Sequence, residues 1–485
     1  MNDAHVEAVY TPTGLSHYDG NPLIEALPRI YTDEEVVNLI RNYPPLPTRG
    51  ELLLPAKVRA HCISRVDTAV LPLDMHLRFE GAFGQLLRHG YTARNPFSRD
   101  TVAMQHASTE EQLKHSGFKS SANTLTVIGL SGMGKTTMLN AIVKMYPQVI
   151  FHHSYNGKPI KSPQVVWLKI ECPHDGSPRG LCASFFAALD QALGTNYTDK
   201  FIKVRNSISV LMQRVSQMCR TYHVGVLIID EMQNLNSAPE GSDKQKLLNF
   251  FVALSNDAGV PLVLSGTNAT FKLFSRVVRN ARRALGMGEF YFDRFTADDP
   301  EWQFLVEFLW GYSWADSTVA LDQGLQSKIF DLTQGNTDFL VKLFTLAQRH
   351  AVCEGAPVTG ELLQYVYDTQ MTILHKPIEA LRSGDPDQVN DFEDMMPAKD
   401  QVALMMCADL QRRVRRVDRS LLLHRTTAET LSPPAASIPK PVKAKVASVP
   451  PVDTKSKARK IVESDDWEEA MKGPEAIGKP SIKLW

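Results

Sequence analysis

The sequence predicts an α/β fold, a doubly wound parallel sheet flanked by helices and followed by an all-helical lid, and three observations carry that expectation. The run Gly129-Leu130-Ser131-Gly132-Met133-Gly134-Lys135-Thr136, followed by Thr137, has the spacing of a phosphate-binding P-loop. Apolar, β-branched runs alternate with helical patterns downstream of it, as a parallel sheet requires. From Glu301 the apolar spacing becomes helical throughout.

Residues 1–74 read as an irregular leader broken by prolines, with one clear helix expected from Asp33 to Asn42. Thr32 caps it and Glu35 completes a capping box. Met75 to His89 is amphipathic through Leu77, Phe79, Phe83, Leu86 and Leu87, and a polar stretch from Asn95 to Ser121 follows. Thr124 to Ile128 is apolar and β-branched, as a buried strand entering the P-loop should be, while Met138, Ile142 and Met145 mark the helix leaving it. Further strands are expected from Val165 to Ile170, Val224 to Ile229, Pro261 to Ser265 and Glu289 to Phe292. Helices from Leu181 to Leu193, Ile208 to Met218 and Lys244 to Asn256 separate them, with one more before Glu289.

The lid is expected as helices from Glu301 to Tyr312, Leu321 to Thr333, Asp338 to Cys353 and Gly360 to Leu374. Pro397 to Leu423 reads as a basic helix carrying Arg412, Arg413, Arg415, Arg416 and Arg419. Beyond Leu431, Pro, Lys and Ala replace core-forming residues, which predicts a disordered tail. Its basic run (Lys440 to Lys460) precedes an acidic one (Glu463 to Glu469), with Trp467 and Leu484-Trp485 as candidate partner anchors. The expected boundaries are 1–110, 111–300, 301–375, 376–430 and 431–485: leader, nucleotide-binding core, lid, basic extension and tail.

Bulk composition bounds the function. With 53 Lys plus Arg against 53 Asp plus Glu, no overall charge draws the chain to nucleic acid or membrane, so any such binding rests on local patches. The six cysteines form no C-x-x-C pair and read as reduced, buried thiols. No signal peptide or long apolar run is evident, so a cytoplasmic protein is expected, with no membrane partner.

The P-loop predicts nucleotide chemistry in detail. Gly129, Gly132 and Gly134 let the backbone wrap an anion, with Leu130, Ser131, Met133 and Thr137 completing the cradle. Lys135 would neutralise the β- and γ-phosphates and the Thr136 hydroxyl would reach magnesium, so ATP and Mg2+ are the expected cofactors. The strand ending Asp230-Glu231 has the form of a Walker B site. Asp230 would hold the metal with Thr136, and Glu231 would orient and deprotonate the attacking water; the plainer alternative is a turn acid after a strand. Thr267 and Asn268, at the tip of the next strand, are candidate γ-phosphate sensors or helix caps.

Arg276, Arg279, Arg282 and Arg283 share a helical face. Arg282 or Arg283 is the preferred arginine for a neighbouring subunit's γ-phosphate; a solvated basic face and DNA phosphate contacts are the alternatives. The polar segments around Arg179 and from Gly194 to Lys200, with Thr198, Lys200 and nearby Lys203, could track a phosphate backbone or simply be solvated.

Four phrases together carry a resemblance: GLSGMGKTT, VLIIDEMQNL, LVLSGTNAT and LTQGNTDFLVKLFTLAQRHA. The chain resembles the TnsC/TniB AAA+ transposition regulators over residues 20–370, and NPLIEALP and GYTARNP resemble the TnsC branch. That resemblance implies an ATPase that assembles with itself, as a ring or helical filament, on duplex DNA when ATP is bound. It implies a connection between a target selector of TnsD/TniQ type and transposase subunits of TnsA/TnsB type, with hydrolysis driving disassembly. The leader would face the selector and the tail the transposase, and the segments around Arg179 and Thr198 would face DNA. One departure is visible: the lid segment from Gly335 to Leu343 lacks the family's Gly-Ala-Arg sensor arginine, leaving Lys342 as the nearest substitute.

Two other functions are weighed. A replication initiator or helicase loader would be expected to carry a winged-helix domain or a helicase-binding extension, and the region after Lys376 reads as too short and too Pro/Lys-rich for that domain. A signalling NTPase of a defence system would carry a repeat sensor or effector, and neither pattern is present. A small-molecule kinase is disfavoured because Glu231 beside Asp230 suits water activation.

Overall fold

Five strands form one parallel sheet in the computed structural model, which describes residues 5–107, 110–203, 206–237, 242–270, 289–315 and 319–385. In chain order they are β1 (Thr124–Gly129), β2 (Trp167–Glu171), β3 (Val226–Asp230), β4 (Leu262–Gly266) and β5 (Glu289–Phe292). Their order across the sheet is β5-β1-β4-β3-β2, so β1 lies between two strands that follow it late in sequence. Ile128 pairs with Gly266, Gly129 with Phe292, and Ile229 with Leu264. The carboxyl ends of β1, β3 and β4 therefore stand side by side, where an open α/β sheet binds its ligands.

Both faces of the sheet are covered, which explains why the central strands β1, β3 and β4 are buried at every position and mostly apolar. Val127, Ile228 and Val263 enter one core cluster, while their chain neighbours Ile128, Ile229 and Leu264 enter another. The alternation is the period of two that a pleated strand imposes. Helices α1 (Asp74–Thr92) and α2 (Lys135–Val143) pack with the first cluster, and α3 (Pro178–Leu193), α4 (Ile208–Thr221) and α5 (Ser242–Asn256) with the second. Phe79 and Phe83 of α1 are wholly buried, each stabilising the fold by about 2 kcal/mol.

The leader is more ordered than its prolines suggest. The capping box predicted at Thr32 and Glu35 is present at the start of helix Asp33–Ile40, which ends one residue before Arg41. Helices Pro22–Glu25, Arg49–Leu52 and Ala56–Arg59 and the 3-10 segment Ala60–Thr68 accompany it. Leu23, Ile24, Val36, Ile63 and Val66 are buried in the same cluster as the P-loop helix and the lid. Strand His5–Glu7 also pairs in parallel with Val149–Phe151. These elements are one or two turns long and hold only by packing on others, so their sequence carries little helical period. The polar stretch after α1 likewise contains helix Arg99–His106, with Thr101 and Met104 buried.

The run expected as one strand from Val165 to Ile170 divides between two sheets. Gln164–Val165 pairs antiparallel with Val149–Phe151, and β2 joins the main sheet. Every residue from Gln164 to Val166 is buried, so no change in polarity marks the division.

The helical lid comprises α6 (Pro300–Trp310), α7 (Gln323–Thr333), α8 (Thr337–Glu354), α9 (Gly360–Gln370) and α10 (His375–Ser383), the last lying beyond the predicted end at 375. Leader and lid are joined: Tyr312 Oη donates to the Pro44 carbonyl at 2.7 Å, and Asp74 N donates to Glu301 Oε1 at 2.7 Å. The basic helix around Arg412 and the tail with Trp467 and Leu484-Trp485 lie outside the described residues, as do Arg276, Arg279, Arg282 and Arg283. No described helix is long and apolar enough to cross a membrane.

Candidate nucleotide site

The P-loop leaves β1 at Gly129, where a Cβ would fall 2.3 Å from the Phe292 carbonyl oxygen of β5. Gly132 and Gly134 take φ of +84° and +87°, which side-chain-bearing residues rarely adopt. α2 then begins at Lys135, so its amino end points into the loop. Lys135 is buried, and its Nζ donates to the carbonyls of Gly129 and Leu130 at 2.7 and 2.8 Å.

The Walker B residues meet the loop. Thr136 Oγ1 donates to Asp230 Oδ2 at 2.9 Å, bringing together the two predicted metal ligands. Lys169 Nζ, on β2, lies 3.3 Å from the same oxygen. Burial pushes the Asp230 carboxyl up, but Lys169, the Ser265 and Thr136 hydroxyls and the Glu231 amide outweigh it and hold it below the usual carboxylate range. Asp230 is thus a charged carboxylate at neutral pH. Glu231 follows with φ +57°, an uncommon conformation for a non-glycine residue. Its carboxylate accepts from Gln233 Nε2.

Ser131, Gly132, Gly134, Lys135, Thr136, Asp230, Glu231, Gln233, Gly266 and Thr267 line one cleft at the ends of β1, β3 and β4. Thr267 Oγ1 is buried without a hydrogen-bond partner among the described residues. An orphaned donor beside a lysine and a ring of backbone amides suits an anionic oxygen, so the residues present fit a nucleotide phosphate. Of the two sensor candidates, Thr267 lines the cleft, whereas Asn268 opens the 3-10 turn Asn268–Thr270 and does not. A cavity of about 460 Å³ adjoins the loop, sharing Gly132 and Gly134 with the cleft. Val66, Leu71, His76, Met133, Phe292 and Val341 are among its walls, which come from leader, core and lid.

The lid reaches the loop without an arginine. Asn336 Nδ2 donates to the Ser131 carbonyl at 2.9 Å, Asp338 N donates to the Gly132 carbonyl at 3.0 Å, and Thr337 Oγ1 donates to that carbonyl at 2.5 Å. Lys342 is paired with Asp338. Lys169, Gln233 and Asn336 are thus site residues missed from the sequence. A lysine inside a strand is a visible signal for Lys169, whereas Gln233 and Asn336 are uncharged residues of a turn and a helix cap that no spacing marks.

The predicted DNA-facing residues divide into two groups. Arg179 sits in the first turn of α3 and donates to the carbonyls of Ile202 and Asn206 at 2.6 and 3.1 Å, which corrects its expected place on a solvated loop. The Thr198 hydroxyl is buried in the π-helical turn Thr198–Ile202. Lys200 and Lys203 are exposed, with Lys203 paired to Asp199 at 2.6 Å. Elsewhere burial pushes the thiols of Cys172, Cys182 and Cys219 up to about 12, so they are not nucleophiles at neutral pH.

Residues 118–274 match the AAA domain family. That span begins before β1 and includes the P-loop, Asp230, Glu231 and strand β4 with Thr267 at its tip. Residues 118–274 are an AAA domain. Such a domain is a Walker-type ATPase unit that binds nucleotide, typically with Mg2+. No curated protein matches the chain. Among solved structures, the chain is similar to the Walker-type ATPase PABY2304 of Pyrococcus abyssi at 13% identity and a TM-score of 0.34, over 66% of this chain and 91% of that one. It is also similar to the ORC2 protein of Aeropyrum pernix in ADPNP and ADP complexes at 10% identity and a TM-score of 0.34, over 57% and 68%.

Proposed function

We propose that the chain is an ATP-switched assembly factor of TnsC/TniB type, which oligomerises on duplex DNA with ATP bound and comes apart on hydrolysis. The single observation that carries the ATPase half is the cleft itself, where Lys135, Thr136, Asp230, Glu231 and the orphaned Thr267 hydroxyl converge. Lys135 exchanges its loop carbonyls for phosphate oxygens, and the 460 Å³ cavity takes the base and ribose. Thr136 and Asp230 would hold magnesium, which would supply charge neutralisation at the phosphates. Glu231 orients and deprotonates water, and an arginine of the 282–283 pair completes a neighbour's site.

The transposition half is supported by the sequence phrases that resemble TnsC/TniB. Lys200 and Lys203 are the DNA-facing cations, with Arg179 and Thr198 holding the turn that presents them. The leader engages a TnsD/TniQ-type selector and the tail TnsA/TnsB-type transposase subunits. Negative-stain electron microscopy of the full chain with duplex DNA tests the assignment. Rings or filaments that form only with a non-hydrolysable ATP analogue are expected, and particles indifferent to DNA and nucleotide overturn it.

A further inference from the structure

Gln233 occupies a place in the cleft that the P-loop and Walker B assignments leave unexplained. It lies on the 3-10 turn Met232–Ser237 directly after Glu231 and lines the same cleft as Lys135 and Thr267. Its carboxamide is used at both ends. Nε2 donates to Glu231 Oε2, and Oε1 accepts from the Thr267 backbone N–H at 3.2 Å. A carboxylate can only accept and a backbone N–H can only donate, so the amide has one orientation that satisfies both partners.

The surroundings hold this bridge in place. A Cβ on Gly266 would lie 3.1 Å from Gln233 Oε1, so glycine leaves the room the carboxamide occupies. Asn234 Nδ2 anchors the turn to the Cys172 carbonyl at 2.8 Å on the β2 side, and Asn236 Nδ2 anchors it to Ala269 at 3.1 Å beyond β4. The turn is thus fastened between the strands flanking β3, and Gln233 spans from the tip of β3 to the tip of β4.

From this geometry we infer that Gln233 is a positioning residue for hydrolysis, coupling the Thr267 strand tip to the Glu231 carboxylate. The inference rests on the ATPase reading of the cleft. An oxygen bound by the orphaned Thr267 hydroxyl and the carboxylate that orients water then share one rigid link, so a displacement at the sensor tip re-aims the base. Aim matters because a misplacement of about 1 Å in a reacting group costs on the order of 100-fold in rate.

Two substitutions separate the arms. Gln233→Glu keeps an acceptor for Thr267 N–H but removes the donor to Glu231, while Gln233→Met removes both at similar length. Steady-state hydrolysis by the full chain, affinity for a fluorescent ATP analogue and thermal melting are measured for each, beside Glu231→Gln. Both variants are expected to lower kcat about 10- to 100-fold while leaving analogue affinity within about 2-fold and melting unchanged. The double variant Glu231→Gln/Gln233→Glu should lose nothing beyond Glu231→Gln alone, because the two residues act as a unit. Wild-type kcat in both Gln233 variants, in a protein that Glu231→Gln inactivates, overturns the coupling and leaves the ATPase reading standing. A parallel collapse of affinity and melting makes Gln233 a structural residue and overturns it too. Hydrolysis unaffected by Glu231→Gln overturns the ATPase assignment of Glu231 itself.

Discussion

Asn336, at the amino end of lid helix α8, donates through Nδ2 to the Ser131 carbonyl of the P-loop at 2.9 Å. Its Oδ1 accepts from Asp338 N at 3.0 Å and Phe339 N at 3.2 Å, so one side chain both caps the lid helix and grips the loop. Gly132 makes the approach possible, since a Cβ there would lie 2.7 Å from Asn336 Oδ1. The lid and the phosphate cradle are thereby one mechanical unit, despite the absent sensor arginine.

Substitution at Asn336 separates cap from grip. Asn336→Ala loses both and should destabilise the fold by about 1 kcal/mol while weakening ATP binding. Asn336→Asp keeps the cap acceptor and loses only the donor to Ser131. It should melt close to wild type and still bind ATP more weakly. Equal ATP affinity in Asn336→Asp and wild type, by titration with a fluorescent analogue, would show the grip to be dispensable.

Glu231 and Lys135 should fail in different ways. Glu231→Gln is expected to retain ATP and DNA and to lose turnover by about 100- to 10,000-fold, the worth of a positioned base. Lys135→Ala removes a charged donor from the phosphates, worth about 1.5–3 kcal/mol, and should abolish ATP-dependent DNA binding. Filter binding with and without nucleotide reads both, and DNA affinity unchanged in Lys135→Ala would sink the switch.

Gly129→Ala tests the seam between β1 and β5. Its methyl group would fall 2.3 Å from the backbone oxygen of Phe292 and 2.5 Å from its Cβ, neither of which can rotate away. A loss of about 3 kcal/mol is expected in urea unfolding, and a midpoint equal to wild type would mean that the strands part more easily than their pairing suggests.

A buried histidine sets an acid limit on stability. Burial lowers His223 to about 3, with His152 and Arg94 adding to the effect. The unfolded chain takes up this proton near pH 6.5, whereas the native protein refuses it until about pH 3. The contribution of neutral His223 is therefore complete above that unfolded value and drains away as the pH falls through the window, at about 1.4 kcal/mol per unit. His223 has φ +48°, which asparagine tolerates. His223→Asn should flatten the fall in urea midpoint between about pH 6.5 and 4.5, and an unchanged slope would assign that fall to other groups, His76 among them, which burial lowers to about 4.

Much of the core and cleft was legible in the residues. A strand buried on both faces is mostly apolar, and a loop that wraps phosphate must place glycines at fixed spacing. β1 through β5, the P-loop and Asp230-Glu231 therefore stood out. The leader was less legible because its short helices depend on distant partners: Val66 and Leu23 are core residues only once the lid and α1 pack over them.

The sequence by itself determined the chemistry on offer: a phosphate cradle, a lysine, two acids and an alternation that could form only one kind of sheet. Only the tertiary structure decided how these groups meet. The order β5-β1-β4-β3-β2 sets Thr136 against Asp230, brings Lys169 to the same carboxylate and lets Gln233 bridge Glu231 to Thr267. Asn336 grips a loop 205 positions away in sequence. Local pattern records what one segment buries or exposes; a hydrogen bond between distant side chains depends on strand order and register, which no single segment encodes.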